Sequence, residues 1–142
     1  MASQAIKDNR QNAEIYHGDV LCKEKLAELL KEIGLPQGLF SLEDVEELGY
    51  NRASGFLWIV QKKKREHTFK PIKQTVSFGA EVTALVEPRK IKKVTGVKTK
   101  ELLLWLSVVE VYIDDPASGK VTFKTGTGLS DSFPASAFEP GA

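Results

Sequence analysis

The segment "FKTGTGLSDSFP", residues 123–134, has the composition of an active-site loop, with two glycines, four hydroxyl side chains and a Lys-Thr-Gly triplet. Lys-Thr-Gly serves in acyl transfer only beside a Ser-x-x-Lys nucleophile motif, and no serine here has lysine three positions on. A dinucleotide fingerprint would need a third glycine where Asp131 stands. We therefore interpret Gly126 and Gly128 as turn or bulge residues that end a strand.

A second glycine-containing segment, "DDPASGKV", comes close to a phosphate-binding loop. That loop requires glycine where Asp114 stands and serine or threonine where Val121 stands. Asp114 and Asp115 are instead typical of residues that open a turn through bonds from side chain to backbone. The segment therefore predicts a turn and not a nucleotide site.

Histidine and cysteine are too few to build a catalytic or metal centre that can be recognised locally. His17, His67 and Cys22 are the soft ligands of the chain, which is short of a zinc set. No third group that would orient either histidine can be named from the sequence. We expect no metal and no cofactor, and a binding protein rather than an enzyme. A hydrolase with residues dispersed in sequence stays as an alternative.

The net charge of +1 hides a strongly basic central stretch. Residues 62–100 hold 12 basic and 3 acidic side chains, whereas the segments on either side are each acidic by four charges. A local positive field attracts anions whatever the rest of the chain carries. The candidate anion-binding residues stand at two expected turns: Lys62, Lys63, Lys64, Arg65, Arg89, Lys90, Lys92 and Lys93. The competing interpretation is that these lysines keep edge strands apart and the chain soluble.

The apolar runs are too short to cross a membrane. The longest, "ELLLWLSVVEVYI", is interrupted by Glu110 and falls short of the roughly 20 residues that a spanning helix needs. The amino end, "MASQAIKDNRQNAE", lacks the apolar core of a signal peptide. We expect a soluble cytoplasmic protein without a transmembrane segment, with peripheral contact at a membrane as an option.

One helix is indicated by its apolar spacing. Leu26, Leu29, Leu30 and Ile33 fall at i, i+3, i+4 and i+7, Asp19 can cap the start, and Gly34 can end the helix. The expected helix covers about residues 20–33. Residues 1–18 show no sustained period and are expected to form a flexible lead-in, with a helical turn around Ile6, before a single mainly-β domain at 19–142.

Short β-rich runs separated by turn residues fill most of the chain after Pro36. They favour a mainly β fold, a small roll or barrel-like bent antiparallel sheet with the N-terminal amphipathic helix packed on it. "KKKRE" is expected to be a turn that leaves His67 near a hairpin tip. Val109, Val111 and Ile113 alternate with their neighbours as a half-buried strand requires. Trp58 and Trp105, each within a β run, are expected to anchor the core.

Four motifs in order give the chain a resemblance to a known family. They are Leu-Pro-x-Gly-Leu at 35–39, Ser-Gly-Phe at 54–56, Gly-Val-Lys-x-Lys at 96–100 and Phe-Pro-x-x-x-Phe at 133–138. Together they resemble the plant-specific family catalogued as domain of unknown function 538. The resemblance implies a mainly β roll with a packed helix and no assigned activity. The chain departs from many members in lacking a signal peptide and a cysteine in the Ser-Gly-aromatic strand.

These observations lead to a non-enzymatic binding module for a lipid, an amphipathic small molecule or an anionic membrane surface, reached through the basic turns. Nucleic acid is a less favoured partner because the basic stretch contains only Phe69 and Phe78 for base stacking. The family resemblance adds a further alternative, a protein-interaction module in plant stress physiology. No protein partner can be named.

Overall fold

The computed structural model describes residues 4–139, and within them the chain is mainly β, as the sequence predicts. Two α-helices, α1 (Gln4–Asn9) and α2 (Asp19–Ile33), come first in the described range together with a short strand. The strands are β1 (Glu14–His17), β2 (Val45–Asn51), β3 (Phe56–Gln61), β4 (Arg65–Phe69), β5 (Gln74–Glu87), β6 (Lys90–Glu101), β7 (Leu104–Tyr112), β8 (Lys120–Thr125) and β9 (Ser130–Pro134). Short 3-10 turns lie at Lys70–Ile72, Pro116–Ser118 and Ala135–Phe138.

The described strands form one bent antiparallel sheet in the order β1-β2-β3-β5-β6-β7-β8-β9, with β4 paired to β5 outside this path. The sheet is not closed into a barrel. Helix α2 packs against β1 and β2, and its apolar stripe joins the main core cluster. The expectation of a bent antiparallel sheet with an amphipathic helix packed on it is confirmed.

Strands β3 and β4 lie in line along the same edge of β5. The end of β3 lies opposite Glu81, and β4 begins with Arg65 opposite Phe78. Residues 62–64 are therefore a kink between two collinear strands, which corrects the expected turn into a hairpin. His67, expected near a hairpin tip, lies inside β4 opposite Val76.

The long strands β5 and β6 bend together at a glycine. Their register shifts between Phe78 and Thr83, and Gly96 of β6 at this level has φ of +81°. A Cβ on Gly96 would lie 2.3 Å from the carbonyl oxygen of Glu81. The close approach of the two backbones at the bend therefore requires glycine.

Helix α2 begins one residue before its expected start and ends where the sequence predicts. Its side chains Cys22, Leu26 and Leu30 are buried, and Gly34 adopts the left-handed conformation that ends the helix. Asp19 is the first helical residue and not the cap. Its Oδ1 accepts a 2.9 Å hydrogen bond from the backbone N–H of Val45, so this carboxylate ties the helix to β2.

Within the segment expected to be a flexible lead-in, the structure places helix α1 and strand β1. Ile6 of α1 is fully buried with Phe56 and Trp58 in a second, smaller core cluster, and β1 pairs with β2. The sequence predicted a helical turn around Ile6 but not its burial, because a single apolar residue has no period. The residues that bury Ile6, Phe56 and Trp58, lie about 50 residues further along the chain.

Strand β7 does not keep the strict alternation that the sequence suggested. A register shift between Val108 and Glu110 inserts an irregularity, and Val108 and Val111 are both buried. Val109 is only partly buried. The bulge changes which face each residue occupies after it, so the assignment of Val109 and Val111 to one face is wrong.

Candidate functional site

The eight basic residues expected to bind anions divide between two places in the sheet. Residues 62–65 lie beside the end of β3, which is opposite Glu81, whereas Lys90 lies opposite Glu87 at the hairpin between β5 and β6. Glu81 and Glu87 are six residues apart on β5, which corresponds to about 20 Å along the strand. The eight residues therefore do not form one compact cluster.

Three members of the set, Arg65, Lys90 and Lys92, are paired with carboxylates in the structure. Arg65 forms an ion pair with Glu43 of the loop before β2, and Lys92 forms one with Glu87 across the β5–β6 hairpin. Their charges are compensated locally. These side chains hold neighbouring segments together and contribute little to an external positive field.

The β5–β6 hairpin itself is connected to its neighbours by an ion pair and by hydrogen bonds. Lys90 Nζ lies 3.1 Å from Glu110, which raises the pKa of Lys90, and the guanidinium of Arg89 donates to the carbonyl oxygen of Asp114 at 3.3 Å. The backbone N–H of Arg89 donates to the carbonyl oxygen of Ile33 at 2.6 Å. This hairpin therefore anchors the end of α2 to the sheet.

The remaining predicted residues, Lys62, Lys63, Lys64 and Lys93, are exposed. None of the four has an ion pair with any group in residues 4–139. Phe78 of β5 is paired with Arg65 of β4 on one side and with Val97 of β6 on the other. The kink at 62–64 therefore lies about two strand spacings, roughly 10 Å, from β6. This part of β6 carries further lysines.

Lys98 and Lys100 alternate on β6 with the buried residues Val97 and Thr99, so both lysines point to the outer face of the sheet. Lys73 is close by, because the side chain of its neighbour Gln74 donates to the carbonyl oxygen of Lys100 at 2.8 Å. All three lysines are exposed and none has an ion pair within the described chain. None of the three is among the anion-binding residues predicted above, although Lys98 and Lys100 alternate with Val97 and Thr99 in the sequence. We call the following residues the lysine group: Lys62, Lys63, Lys64, Lys73, Lys98 and Lys100.

The β6–β7 hairpin carries an exposed apolar tip at residues 102–105. Leu102 is 94% exposed, Leu103 91% and Leu104 66%, and Trp105 is 37% exposed. Glu101 pairs with Leu104, so Leu102 and Leu103 form a two-residue turn. Leu129, 62% exposed in the turn between β8 and β9, is a further apolar side chain on a neighbouring hairpin.

The expectation that Trp58 and Trp105 both anchor the core is half right. Trp58 is fully buried, whereas Trp105 lies at the base of the tip. Pairing of β6 with β5 ends at Thr99 and pairing of β7 with β8 ends at Val108. On the β7 side Trp105 therefore lies three residues, or about 10 Å, past the last pair with β8, whereas on the β6 side β5 continues to Gln74, whose side chain bonds to Lys100. Lys100 Nζ lies 5.8 Å from the centre of the Trp105 ring.

Two carboxyl groups meet beside the tip. The side chains of Glu101 and Asp131 are close enough to share a hydrogen bond, and this contact, with burial, raises the pKa of Glu101. The contact brings β9 next to the hairpin although two strands separate them in the sheet. One shared proton would remove the repulsion between the two carboxylates.

An open groove of about 600 Å³ lies between α2, the loop at 37–42, β4 and the last 3-10 turn. Leu26, Phe69 and Phe138 contribute apolar surface, and Lys23 and Lys70 contribute charge. His67 also lines the groove. Burial, together with the charges of Arg65 and Lys70, lowers the pKa of His67.

His17, the other histidine considered for catalysis, belongs to a structural network around Glu47. Its Nε2 lies 3.1 Å from the Glu47 carboxylate, which also accepts hydrogen bonds from Arg10 at 2.8 Å and from Trp58 Nε1 at 2.8 Å. These donors lower the pKa of Glu47 to about 2. No serine hydroxyl within residues 4–139 takes part in this network, which fixes the N-terminal segment to the sheet.

Both loops that resembled catalytic motifs are turns. Gly126 and Gly128 connect β8 to β9, and Thr125 N–H donates to the Leu129 carbonyl oxygen at 2.9 Å to close the loop. Asp115 Oδ1 accepts from the backbone N–H of Ala117 at 3.0 Å. The interpretation of both segments as turns is confirmed.

Two classes of site can be tested directly on residues 4–139. No group of three or more His, Cys, Asp or Glu side chains in this range is arranged to hold a metal ion. No helix in the same range is long and apolar enough to cross a membrane.

Comparison with known proteins places the chain in a family. Neither a curated protein nor a solved structure matches the chain. The family model described as protein of unknown function, DUF538, matches residues 26–139, which include α2 from residue 26 onward, the kink at 62–64 and the apolar tip. This match covers well over half of the chain, and the protein is therefore a member of the DUF538 family.

Proposed function

We propose that this protein is a non-enzymatic module that binds an anionic membrane surface peripherally. The observation that carries the proposal is the lysine group, six exposed lysines within one basic stretch that have no ion pair in residues 4–139. Uncompensated exposed lysines attract anions, whereas those in ion pairs do not. The proposed contact is made from the cytoplasmic side, where membranes carry acidic lipids.

The size of the attraction follows from the number of lysines that reach the surface. Each lysine near an anionic leaflet contributes about 1 kcal/mol before screening. Three or four of the six would provide on the order of 3–4 kcal/mol, which corresponds to attachment in the millimolar range. This attraction declines with ionic strength because the screening length is about 8 Å at physiological salt.

The packing of the interior favours the outer surface over an enclosed lipid site. The space between α2 and the sheet is filled by buried side chains, among them Leu30, Phe78, Val108 and Phe138. The groove beside β4 is open to solvent and shares Leu26, Phe69 and Phe138 with the core cluster. A lipid carried inside the roll would have to displace this core, which is costly.

Co-sedimentation with vesicles tests the proposal. Wild-type protein is mixed with vesicles of phosphatidylcholine alone and of phosphatidylcholine with phosphatidylserine, at low and physiological salt. We expect binding to the anionic vesicles only, weakening as salt rises. Absence of binding at low salt would refute the function.

A pair of variants with equal charge change assigns the binding to the lysine group. The first variant replaces Lys62, Lys63 and Lys64 with glutamine. The control replaces Lys7, Lys31 and Lys120, which lie on α1, α2 and the start of β8 and have no ion pair in the described chain. We expect the first variant to bind at least fivefold more weakly than the control. Equal loss in both would mean that net charge alone is responsible.

A further inference from the structure

We propose that the apolar tip, residues 102–105, inserts into the headgroup layer of the membrane and anchors the protein there. This inference rests on the proposed function and adds the inserting element and the orientation. Leu102 and Leu103 are more than 90% exposed at the end of a hairpin that projects from the sheet. A contiguous group of exposed apolar side chains at the tip of a hairpin indicates a surface that contacts a partner or a membrane.

The conformation of Leu102 indicates that the stability of the fold does not explain a leucine at this position. Its φ is +57°, in the left-handed region where asparagine, aspartate or glycine is favoured. The Leu102 side chain is also 94% exposed and adds almost nothing to the core. A leucine that neither suits the turn nor packs inside is explained by a contact outside the chain.

The base of the hairpin carries the side chains that the interfacial layer of a membrane accepts. Trp105 and Lys100 lie side by side, with the ammonium group 5.8 Å from the centre of the ring. Tryptophan concentrates at the boundary between headgroups and acyl chains. Lysine can extend its apolar stem along that boundary and keep its charge among the phosphates. Lys98 lies on the same face as Lys100, two pairs further from the tip.

The reach and pairing of the hairpin are compatible with this depth. Leu102 and Leu103 lie just past Gln74, the first residue of β5, and the tip lies past Val108, the last residue of β7 paired to β8, so the tip alone can enter the layer of about 5–10 Å that interfacial segments occupy. The pairs Lys100 with Trp105 and Glu101 with Leu104 satisfy part of the backbone polar groups within the ribbon. Shallow insertion therefore requires less desolvation of peptide groups than an unpaired loop would.

Charge complementarity selects a lipid surface over a second copy of the chain. Lys98 and Lys100 flank the apolar side chains, and Lys73 lies next to them. Packing two tips against each other would bring these like charges together, whereas an anionic leaflet pairs each of them with phosphate or carboxylate. The geometry therefore favours acidic phospholipid as the occupant.

The emission of Trp105 reports insertion directly, because the other tryptophan, Trp58, is fully buried and already away from water. On adding vesicles of phosphatidylcholine with phosphatidylserine, we expect a blue shift of the emission and quenching by lipids brominated on the acyl chains. The Trp105→Phe variant should show neither change. Wild-type protein that binds these vesicles without any change in emission would overturn the inference.

The Leu102→Asn, Leu103→Ser double variant tests the two leucines, and asparagine tolerates the positive φ. We expect a loss of vesicle affinity of roughly tenfold or more, with an unchanged thermal unfolding midpoint. The matched control is the Val20→Ser, Leu21→Ser double variant, which removes exposed apolar side chains from the start of α2. Affinity of the tip variant equal to that of this control would also overturn the inference.

The two proposals fail in different ways. If the 62–64 glutamine variant binds as wild type while the tip variant does not bind, the tip inserts but the lysines at the kink are not the electrostatic site. If the opposite pattern is seen, surface attraction stands and insertion is refuted. A tip that captures a protein instead would leave Trp105 emission unchanged on vesicles and fail the test.

Discussion

Lys100 Nζ lies 5.8 Å from the centre of the Trp105 indole, and the two residues are direct cross-strand partners at the base of the β6–β7 hairpin. The contact places a cation over an aromatic face at a position where the ring is still 37% exposed. It therefore orders the base of the apolar tip without burying it.

The Lys100→Gln variant removes this contact. Because the pair is exposed, we expect a loss in the free energy of unfolding below about 1 kcal/mol, together with a several-fold weaker binding to anionic vesicles. Chemical denaturation and co-sedimentation measure the two effects. Lys100→Arg keeps the cation and the ring contact and is the matched control. A glutamine variant that binds vesicles as tightly as the arginine variant would contradict a role for this charge.

The Glu101 and Asp131 contact predicts a stability that depends on pH. Since the hydrogen bond with Asp131 raises the pKa of Glu101, the folded protein binds the proton of this carboxyl group more tightly than the unfolded chain does. Its stabilising contribution is complete below the ordinary glutamic acid pKa and is lost as pH rises through the raised value. Glu101→Gln imitates the protonated form. We expect its melting temperature to exceed that of wild type at neutral pH and the difference to shrink towards about pH 4.

Thermal unfolding between acidic and neutral pH checks this sign. Glu24→Gln, on the exposed surface of α2, controls for the change in net charge. The prediction fails if the Glu101 variant is less stable than wild type at neutral pH.

The Glu47 network predicts the opposite pH dependence. Hydrogen bonds from Arg10, Trp58 and His17 lower the pKa of Glu47 to about 2. This carboxylate therefore contributes stability that is present above the ordinary pKa of glutamate and is lost as pH falls towards 2. At pH 7 the contribution is at most about 3 kcal/mol.

Replacing Glu47 with glutamine should release the N-terminal segment from the sheet. We expect a lower free energy of unfolding at neutral pH and faster amide exchange in β1, with the difference from wild type shrinking in acid. Glu46→Gln, at an exposed neighbouring position in β2, is the control. Unchanged exchange in β1 would show that strand pairing alone holds the segment.

We expect any side chain at Gly38 to clash, because here the Leu-Pro-x-Gly-Leu motif packs against the Phe-Pro-x-x-x-Phe motif. A Cβ on Gly38 would lie 2.3 Å from the carbonyl oxygen of Phe138, so the loop at 37–42 and the last 3-10 turn approach too closely for a side chain. We expect Gly38→Ala to lower the free energy of unfolding by about 2 kcal/mol or more. Gly126→Ala, where the nearest atom is 3.8 Å away, should cost less than about 1 kcal/mol. Equal losses would rule out the close approach.

Local sequence was sufficient for features that depend on neighbours in the chain. The apolar spacing through Leu26 and Leu30, with Gly34 at the end, predicted α2 to within a residue or so. The glycines at 126 and 128 predicted the β8–β9 turn for the same reason. The motif order from 35 to 138 predicted the family, which the match over residues 26–139 confirms. Each of these rests on short-range geometry or on motif order.

Tertiary structure alone decided which of two similar residues is buried. Trp58 and Trp105 both lie in β runs, but Trp58 has neighbouring strands on both sides, whereas β7 extends past its neighbour β8 at Trp105. The lysines at 62–64 lie nearer to Lys98 than to Arg89, because β3 and β4 pair with the same edge of β5. Strand partners are chosen by contacts between residues far apart in sequence, which no local pattern encodes. The sequence by itself therefore determined the elements and the positive charge, and the sheet pairing decided that an apolar hairpin projects beside that charge.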